Sequence, residues 1–224
     1  MRAFALALLA FVATSASAEA ARVWVSEGGS RHVPGVVFVA AAGEANALTL
    51  TRTRRETTVV DTGATLRVGD GCRRATRHRA VCSSVAEVFL GLGDRGDAAT
   101  VIGVFSDDEG RIAGGRGNDV VSLARARLLN TSVSGDEGAD RVFGGSTGNE
   151  LLGGRGNDVV SGADGSDSLV GGSGNDVCRG GRGADFFDVR DRARDDVYGG
   201  GGRDRAEVDA VDFLHGVERV ANRR

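Results

Sequence analysis

A nine-residue period in the second half of this chain limits the folds that the chain can adopt. The string GGRGNDVVS occurs twice without change, at 114–122 and at 153–161. Residues 135–207 divide into further units of the same pattern, with one residue, Val189, inserted between units. A period of this length is typical of solenoids, in which each short unit packs only against its neighbours.

Each unit begins with a glycine-rich six-residue turn and ends with three residues whose centre is apolar. An apolar residue that returns every nine positions does not make the stripe of an amphipathic helix, and each glycine in a helix costs about 1 kcal/mol relative to alanine. The pattern therefore predicts a tight turn and a short strand whose central side chain points into a core. That central position, column eight, contains Val121, Val142, Leu151, Val160, Leu169, Cys178, Phe187, Val197 and Ala206.

Column six of the unit is almost always aspartate, and this predicts a metal. Two units make one coil of the solenoid, so equivalent turns lie about 4.8 Å apart and their carboxylates repel each other by roughly 3 kcal/mol at an effective dielectric of 20. Carboxylates and turn carbonyls suit calcium, whereas zinc prefers histidine and cysteine, and magnesium demands stricter octahedral geometry. Because two units make one coil, the column-six residues stack in two rows along the solenoid, which we call files. The first file contains Asp119, Asp140, Asp158, Asp176 and Asp195, and the second file contains Asn149, Asp167, Asp185 and Asp204.

These turns resemble the calcium-binding nonapeptide repeat of the RTX (hemolysin-type) proteins, GGxGxDxUx, in which U is a large apolar residue. The turns GGRGND, GGSGND and GGRGAD are near-perfect copies. The resemblance implies a right-handed parallel β-roll with calcium ions held between successive turns. It implies side-chain ligands at Asp119, Asp140, Asp158, Asp167, Asp176, Asp185 and Asp204, and main-chain carbonyl ligands in the turns at Gly115, Gly117, Gly154, Gly156, Gly172, Gly174, Gly181 and Gly183.

Three departures from the repeat change what we expect locally. Asn149 replaces an aspartate and Thr147 replaces a glycine, so a site between the turns at 144 and 162 should be weak or empty. The unit that begins at residue 190, RDRARDDVY, has no turn glycine, so Asp195 is a weaker ligand candidate. Residues 123–134 interrupt the pattern, and we expect a longer, metal-free turn there.

The N-terminus has the pattern of a secretory signal peptide. Arg2 precedes an apolar run from residue 3 to residue 12, and Ala16-Ser17-Ala18 forms a small-x-small cleavage site. We therefore expect residues 1–18 to be removed and the chain to be extracellular. No second long apolar run follows, so we expect no membrane span. Together with the repeats, this leader makes the whole chain resemble an exported bacterial calcium-binding protein.

Residues 19–100 are predicted to form a small β domain because short β-branched runs alternate there with turn residues. Cys72 and Cys82 bracket the polar segment RRATRHRAV, which favours a disulfide across a hairpin in an oxidising compartment. A zinc site with His78 is the alternative, but it falls short of four ligands. Cys178 is left over, either as a buried apolar residue or as an intermolecular link.

The remaining segments complete the predicted all-β organisation. The β-roll spans 101–209, and residues 210–224 form a capping strand in which Phe213, Leu214 and Val217 cover the open end of the core. Asp97, in the sequence Arg-Gly-Asp, is expected to begin the first half-turn of the solenoid rather than to serve in adhesion.

Charge and motif content separate the possible functions. Residues 135–212 contain seventeen Asp and Glu against nine Arg, which excludes an Arg-Gly nucleic-acid segment. HExxH does not occur, and the one match to GxSxG, GGSTG at 144–148, falls within a turn of the repeat, so we expect no catalysis. The sequence thus favours a secreted calcium-binding protein whose roll folds with the metal. The alternatives are an adhesin or matrix component that uses the roll as a spacer, with the arginines of 73–79 on cell-envelope polymers, or the remnant of an RTX-type secreted enzyme.

Overall fold

The structure is a computed structural model that describes residues 20–26, 35–53, 55–83, 87–104, 110–127 and 131–222. The predicted signal peptide, residues 1–18, lies outside these ranges. The described residues contain strands and no helix, and therefore no helix that could cross a membrane. The strands are β1 Arg22–Ser26, β2 Gly35–Val39, β3 Ala47–Arg52, β4 Glu56–Asp61, β5 Arg67–Val68, β6 Cys72–Thr76, β7 Arg79–Ser83, β8 Glu87–Gly91, β9 Ala98–Val104, β10 Gly110–Arg116, β11 Val120–Arg127, β12 Thr131–Glu137, β13 Arg141–Phe143, β14 Asn149–Arg155, β15 Val159–Asp164, β16 Ser168–Ser173, β17 Val177–Arg182, β18 Phe186–Asp188, β19 Asp196–Gly201, β20 Arg205–Val208, β21 Phe213–His215 and β22 Arg219–Asn222.

The strands form two 11-stranded sheets, and from β8 onward the chain visits the two sheets alternately. From β8 onward, even-numbered strands pair in parallel in one sheet (sheet A) and odd-numbered strands pair in parallel in the other (sheet B). From β10 onward, each strand therefore lies beside the strand that is two elements earlier in the chain. This is a parallel β-solenoid, and it confirms the predicted all-β β-roll.

The core of the roll lies between the two sheets and is made from column eight. Every column-eight side chain from Val121 to Ala206 is fully buried, at 0% exposure. The register explains this, because Val160 pairs with Cys178 and Cys178 with Val197, one coil apart. Burial of such a side chain contributes about 1.5–3 kcal/mol, so the stacked column supplies a continuous core that no single unit has alone.

Residues 123–134 differ from our expectation of a longer turn. Strand β11 continues to Arg127, and after a register shift its end pairs with Ile102, Gly103 and Val104 of β9. Leu123 and Ala126 are buried by this extension, and Thr131 already belongs to β12. The prediction of a turn was wrong over these described residues because β9 is long enough to offer a partner to the extra strand residues.

The N-terminal region supplies the first strands of both sheets. Strand β2 pairs in parallel with β8, and β3 pairs in parallel with β9, so the pairing crosses residue 100 without a break. Strands β4, β7 and β6 extend sheet B with antiparallel pairing, and β1 extends sheet A in the same way. The predicted division near residue 100 therefore falls within continuous sheets and stays a prediction.

The three cysteines have distinct environments. Cys72 and Cys82 form a disulfide between paired positions of β6 and β7, which confirms the predicted bridge across a hairpin and rules out zinc on these thiols. Cys178 is a free, fully buried thiol, and burial raises its pKa above the usual range. Of our two alternatives for Cys178, the structure therefore supports the buried apolar residue, because a thiol without exposure cannot link two chains.

The C-terminal segment forms two short strands instead of the single predicted one. Strand β21 pairs with β19, and β22 pairs with β20, so the segment adds one more coil to the roll. Leu214 and Val217 pack against the core as expected. Phe213 does not, since it is 47% exposed and lies with its ring 4.2 Å from the guanidinium carbon of Arg194. The expected covering role of Phe213 was wrong, because its position in β21 faces outward.

Candidate metal centre

The turns of the roll depend on glycine at columns two and four. At Gly156, for example, φ is +125°, a conformation that is strained for any other residue. A Cβ atom there would also overlap the carbonyl oxygen of Gly138 in the preceding coil. Successive turns thus stack with their carbonyl groups close together. Positive φ angles are found at all eight of the glycines predicted to contribute carbonyl ligands, Gly115, Gly117, Gly154, Gly156, Gly172, Gly174, Gly181 and Gly183.

The column-six side chains are brought together in the two predicted files by a ladder of hydrogen bonds. In each file the backbone N–H of one column-six residue donates to Oδ1 of the next, as from Asp140 to Asp158 at 2.7 Å and from Asp158 to Asp176 at 2.8 Å. In the second file, Asn149 donates to Asp167 at 2.7 Å. Both files therefore run along the solenoid axis, with one residue per coil.

The second carboxylate oxygen of each aspartate is buried and has no hydrogen-bond partner. A buried, unpaired carboxylate oxygen is costly, and such an atom in a folded protein calls for an explanation such as a bound ion. The same atom is affected in every coil, so the cause lies in the repeat itself. These atoms are Oδ2 of Asp97, Asp119, Asp140, Asp158, Asp167, Asp176, Asp185, Asp195 and Asp204.

A small space beside each of these oxygens is left open by the glycine at column one. A Cβ atom at Gly114 would lie 2.5 Å from Asp119 Oδ2 and 2.5 Å from the carbonyl oxygen of Gly135 in the next coil. A carboxylate and a carbonyl oxygen thus face the same space, which we call the cradle. The ligand set predicted from the sequence omitted column one, although glycine stands there in nearly every unit. Comparable cradles are found at Gly135, Gly153, Gly162, Gly180 and Gly199.

The cradles offer oxygen atoms, and this donor set fits calcium. Calcium takes six to eight oxygen ligands in flexible geometry, from carboxylates and main-chain carbonyls alike. Among the described residues, no three His, Cys, Asp or Glu side chains lie close enough to hold a metal by themselves. Carbonyl oxygens of the stacked turns would therefore have to complete the coordination.

The electrostatics of the files favour a cation. Burial, opposed by backbone hydrogen bonds and reinforced by neighbouring carboxylates, raises the pKa of Asp119, Asp158, Asp167 and Asp176 to about 6. The pKa of Asp195 is raised to about 7 from the same leading cause. A divalent ion beside these carboxylates would invert this effect and hold them ionised.

The second file loses its carboxylates toward the N-terminal end of the roll. Oδ1 of Asn149 accepts a hydrogen bond from the N–H of Gly145, within its own turn, at 2.9 Å. The paired position in the preceding coil is Thr131. Our expectation of a weak or empty site between the turns at 144 and 162 stays a prediction, and this arrangement supports it.

The glycine-free turn that precedes β19 is held by side chains instead of by glycine. Arg192 adopts a φ of +77°. Asp191 accepts hydrogen bonds from the N–H groups of Gly174, at 2.8 Å, and Ala193, at 2.6 Å. Arg190 pairs with Asp188 and with Glu207. Asp195 nevertheless occupies its place in the first file, because its Oδ1 accepts the N–H of Asp176 at 2.7 Å.

The first file continues beyond the repeats at its N-terminal end. The N–H of Asp97 donates to Asp119 Oδ1 at 2.7 Å, and the N–H of Asn46 donates to Asp97 Oδ1 at 2.5 Å. Asp97 is buried in this arrangement. Asp97 therefore belongs to a turn of the solenoid, with Asn46 one step before it in the ladder, and the Arg-Gly-Asp tripeptide does not present its aspartate to solvent.

Comparison with known proteins agrees with the geometry of the turns. Residues 130–151 and 152–187 match the family model described as the RTX calcium-binding nonapeptide repeat (4 copies). No curated protein and no solved structure shows a significant match to the chain. The chain therefore contains RTX calcium-binding nonapeptide repeats, which confirms the resemblance seen in the sequence.

Proposed function

We propose that this protein is an exported calcium-binding protein whose β-roll becomes ordered when calcium binds. One observation carries the proposal: in successive coils a buried, unpartnered Oδ2 faces a carbonyl oxygen across a cradle with no side chain in it. No described group donates a hydrogen bond to these oxygens, and the repeat family binds calcium. The proposed side-chain ligands are Asp119, Asp140, Asp158, Asp167, Asp176, Asp185 and Asp204.

Coupling between metal and folding follows from the spacing of the files. Adjacent carboxylates one coil apart repel each other, and their burial adds a desolvation penalty. A calcium ion between two turns removes both costs, so the binding free energy becomes folding free energy. Calcium sites of extracellular modules typically have dissociation constants on the order of 10⁻⁴–10⁻³ M. The roll would then respond to calcium outside the cell, where the leader at 1–18 would deliver it.

Binding, rather than catalysis, is the role we propose. The two histidines among the described residues have structural contacts. Nδ1 of His78 lies 2.7 Å from the carbonyl oxygen of Ala64, and His215 stacks on the ring of Tyr198 with a centroid distance of 4.6 Å.

Calcium titration of the Asp158→Asn variant tests the proposal. Because Asp158 lies between Asp140 and Asp176 in the first file, its loss should impair two adjacent sites. We expect calorimetry to show fewer bound ions than in the wild-type chain, and circular dichroism to show a smaller gain of β signal on addition of millimolar calcium. The matched control is Asp70→Asn, at an exposed position in a turn outside the roll. A wild-type chain with no calcium-dependent β signal would overturn the coupled folding.

The spacer alternative is supported by a separate observation at the other end of the molecule. The hairpin of β6 and β7 is closed by the disulfide and contains four arginines and no acidic residue. Arg73 pairs with Glu56 at 3.7 Å, whereas Arg77 and Arg79 are exposed without an ion pair among the described residues. In this alternative the hairpin contacts anionic cell-envelope polymers. Co-sedimentation with cell envelopes, lost in an Arg77→Gln/Arg79→Gln variant, would distinguish it.

A further inference from the structure

The closing segment of the chain lies outside the nonapeptide pattern, yet it continues the second file. Arg205 pairs with Arg219, and Tyr198 pairs with His215. This register places Glu218 at column six, beside Asp204, and Gly216 at column one, beside Gly199. In a repeat the turn from column one to column six has six residues, whereas here the turn from Gly216 to Glu218 has three. Only Val217, which packs against the core, lies between them.

Glu218 takes the hydrogen-bonding place of a column-six aspartate. The N–H of Asp204 donates to Oε2 of Glu218 at 2.7 Å. Within the repeats, the N–H of Asp185 donates in the same way to Oδ1 of Asp204 at 2.9 Å. The longer glutamate side chain thus reaches the position that the shortened backbone cannot bring an aspartate to.

The space between these two coils has the features of the interior cradles. Asp204 Oδ2 is buried and has no hydrogen-bond partner. A Cβ atom at Gly199 would lie 2.5 Å from this oxygen and would overlap the carbonyl oxygen of Gly216. The unpartnered oxygen, the facing carbonyl and the neighbouring carboxylate are therefore all present, although two of the three groups come from outside the repeats.

The corresponding end of the first file is built differently. Asp212 accepts the N–H of Asp195 on Oδ1 at 3.2 Å and the N–H of Asp209 on Oδ2 at 2.6 Å. Both of its carboxylate oxygens are thus occupied by hydrogen bonds. The turn before Asp195 has no glycine, so it also has no column-one cradle. Asp195 Oδ2 is unpartnered, as Asp204 Oδ2 is, but the first file ends without a cradle beside it, whereas the second file ends with the cradle at Gly199.

From these contacts we infer that Asp204, Gly216 and Glu218 form a terminal calcium site, in which the non-repeat segment supplies a main-chain carbonyl and a glutamate carboxylate. The inference rests on the proposed calcium binding by the repeats. It makes the C-terminal segment a contributor of ligands to the roll and not only a cover for its core.

The Glu218→Gln variant of the full chain tests this site. The amide oxygen of glutamine still accepts the N–H of Asp204, so the fold is retained while the charge is removed. We expect calorimetric calcium titration to show one ion fewer per chain, with the remaining sites unchanged. Glu150→Gln is the matched control, since Glu150 is exposed on the outer face of sheet A, and it should bind as the wild-type chain does.

A second variant tests whether the length of the Glu218 side chain is needed as well as its charge. Glu218→Asp keeps the charge but shortens the side chain, so we expect it to lose the same ion. Unchanged stoichiometry and affinity in both variants would overturn the terminal site, while calcium binding by the wild-type chain would still stand. If the wild-type chain itself bound no calcium, the proposed function would fail first, and the two failures are therefore distinguishable.

Discussion

At the scale of single residues, we expect Asn149 to decide where the second file begins to bind calcium. An aspartate there would face the carboxylate of Asp167 in the next coil, whose Oδ1 already accepts the N–H of Asn149. We expect Asn149→Asp to strengthen calcium binding between these two coils. We also expect it to lower the melting temperature of the calcium-free chain, because a further carboxylate then repels Asp167.

Calorimetry and thermal unfolding, each with and without calcium, measure the two effects of Asn149→Asp. The opposite signs are the informative part of this experiment. A variant that is destabilised in calcium as well as without it would show that Asn149 serves only the turn, through its bond to Gly145.

Most residues of the candidate site could be predicted from the sequence, and Glu218 could not. The columns identified the buried aspartates and the left-handed glycines because every unit repeats the same local chemistry. Asp97 was accessible to the same reasoning, since its turn still has a glycine at column two, Gly93, with a φ of +111°. Glu218 could not be predicted in this way, because its turn is three residues shorter than a repeat turn and because glutamate replaces aspartate, so both the spacing and the residue type of column six are lost.

At the scale of the turn, glycines that are packed against the preceding coil and glycines that are not should respond differently to an added methyl group. Gly156 has a φ of +125°, and a Cβ atom there would overlap the carbonyl oxygen of Gly138. A Cβ atom at Gly201 would lie 4.0 Å from its nearest neighbour, the carbonyl oxygen of Gly181. We expect Gly156→Ala to destabilise the calcium-loaded roll by about 2 kcal/mol or more. Gly201→Ala should lie within about 0.5 kcal/mol of the wild-type chain.

Urea unfolding in saturating calcium compares these two variants directly. Equal midpoints for both would contradict the close stacking of turns on which the cradles depend. The comparison uses substitutions of one type in the same roll, so differences in intrinsic alanine propensity largely cancel.

Strand pairing over long sequence distances explains what the repeat pattern left out at this scale. Residues 123–127 lack the glycine signal and were expected to form a turn, but their conformation depends on the length of β9, which no local pattern reveals. The antiparallel strands β4, β6 and β7 were foreseen as a small β domain. Their connection to the parallel roll through β3 was not predicted, because it pairs strands from parts of the sequence that have no common repeat.

At the scale of the whole molecule, we expect the two files to make stability depend on pH, in a direction that calcium sets. Burial raises the pKa of Asp97, Asp119, Asp158, Asp167 and Asp176 to about 6, and of Asp195 to about 7, from an ordinary value of 3.8. Between these values the calcium-free folded chain binds more protons than the unfolded chain does. Its stability is therefore highest below about pH 4 as far as these groups are concerned, and it falls as the pH rises toward 7.

Calcium should reverse this trend, because its ligands must be ionised and protons compete with it for the same oxygens. We expect the melting temperature to fall from pH 4.5 to pH 7.5 in calcium-depleted buffer, and to rise over the same interval in millimolar calcium. Thermal unfolding followed by circular dichroism at both pH values measures the two slopes. Slopes of the same sign would mean that the aspartates are not where calcium binds, since only a shared site makes proton and metal exclude one another.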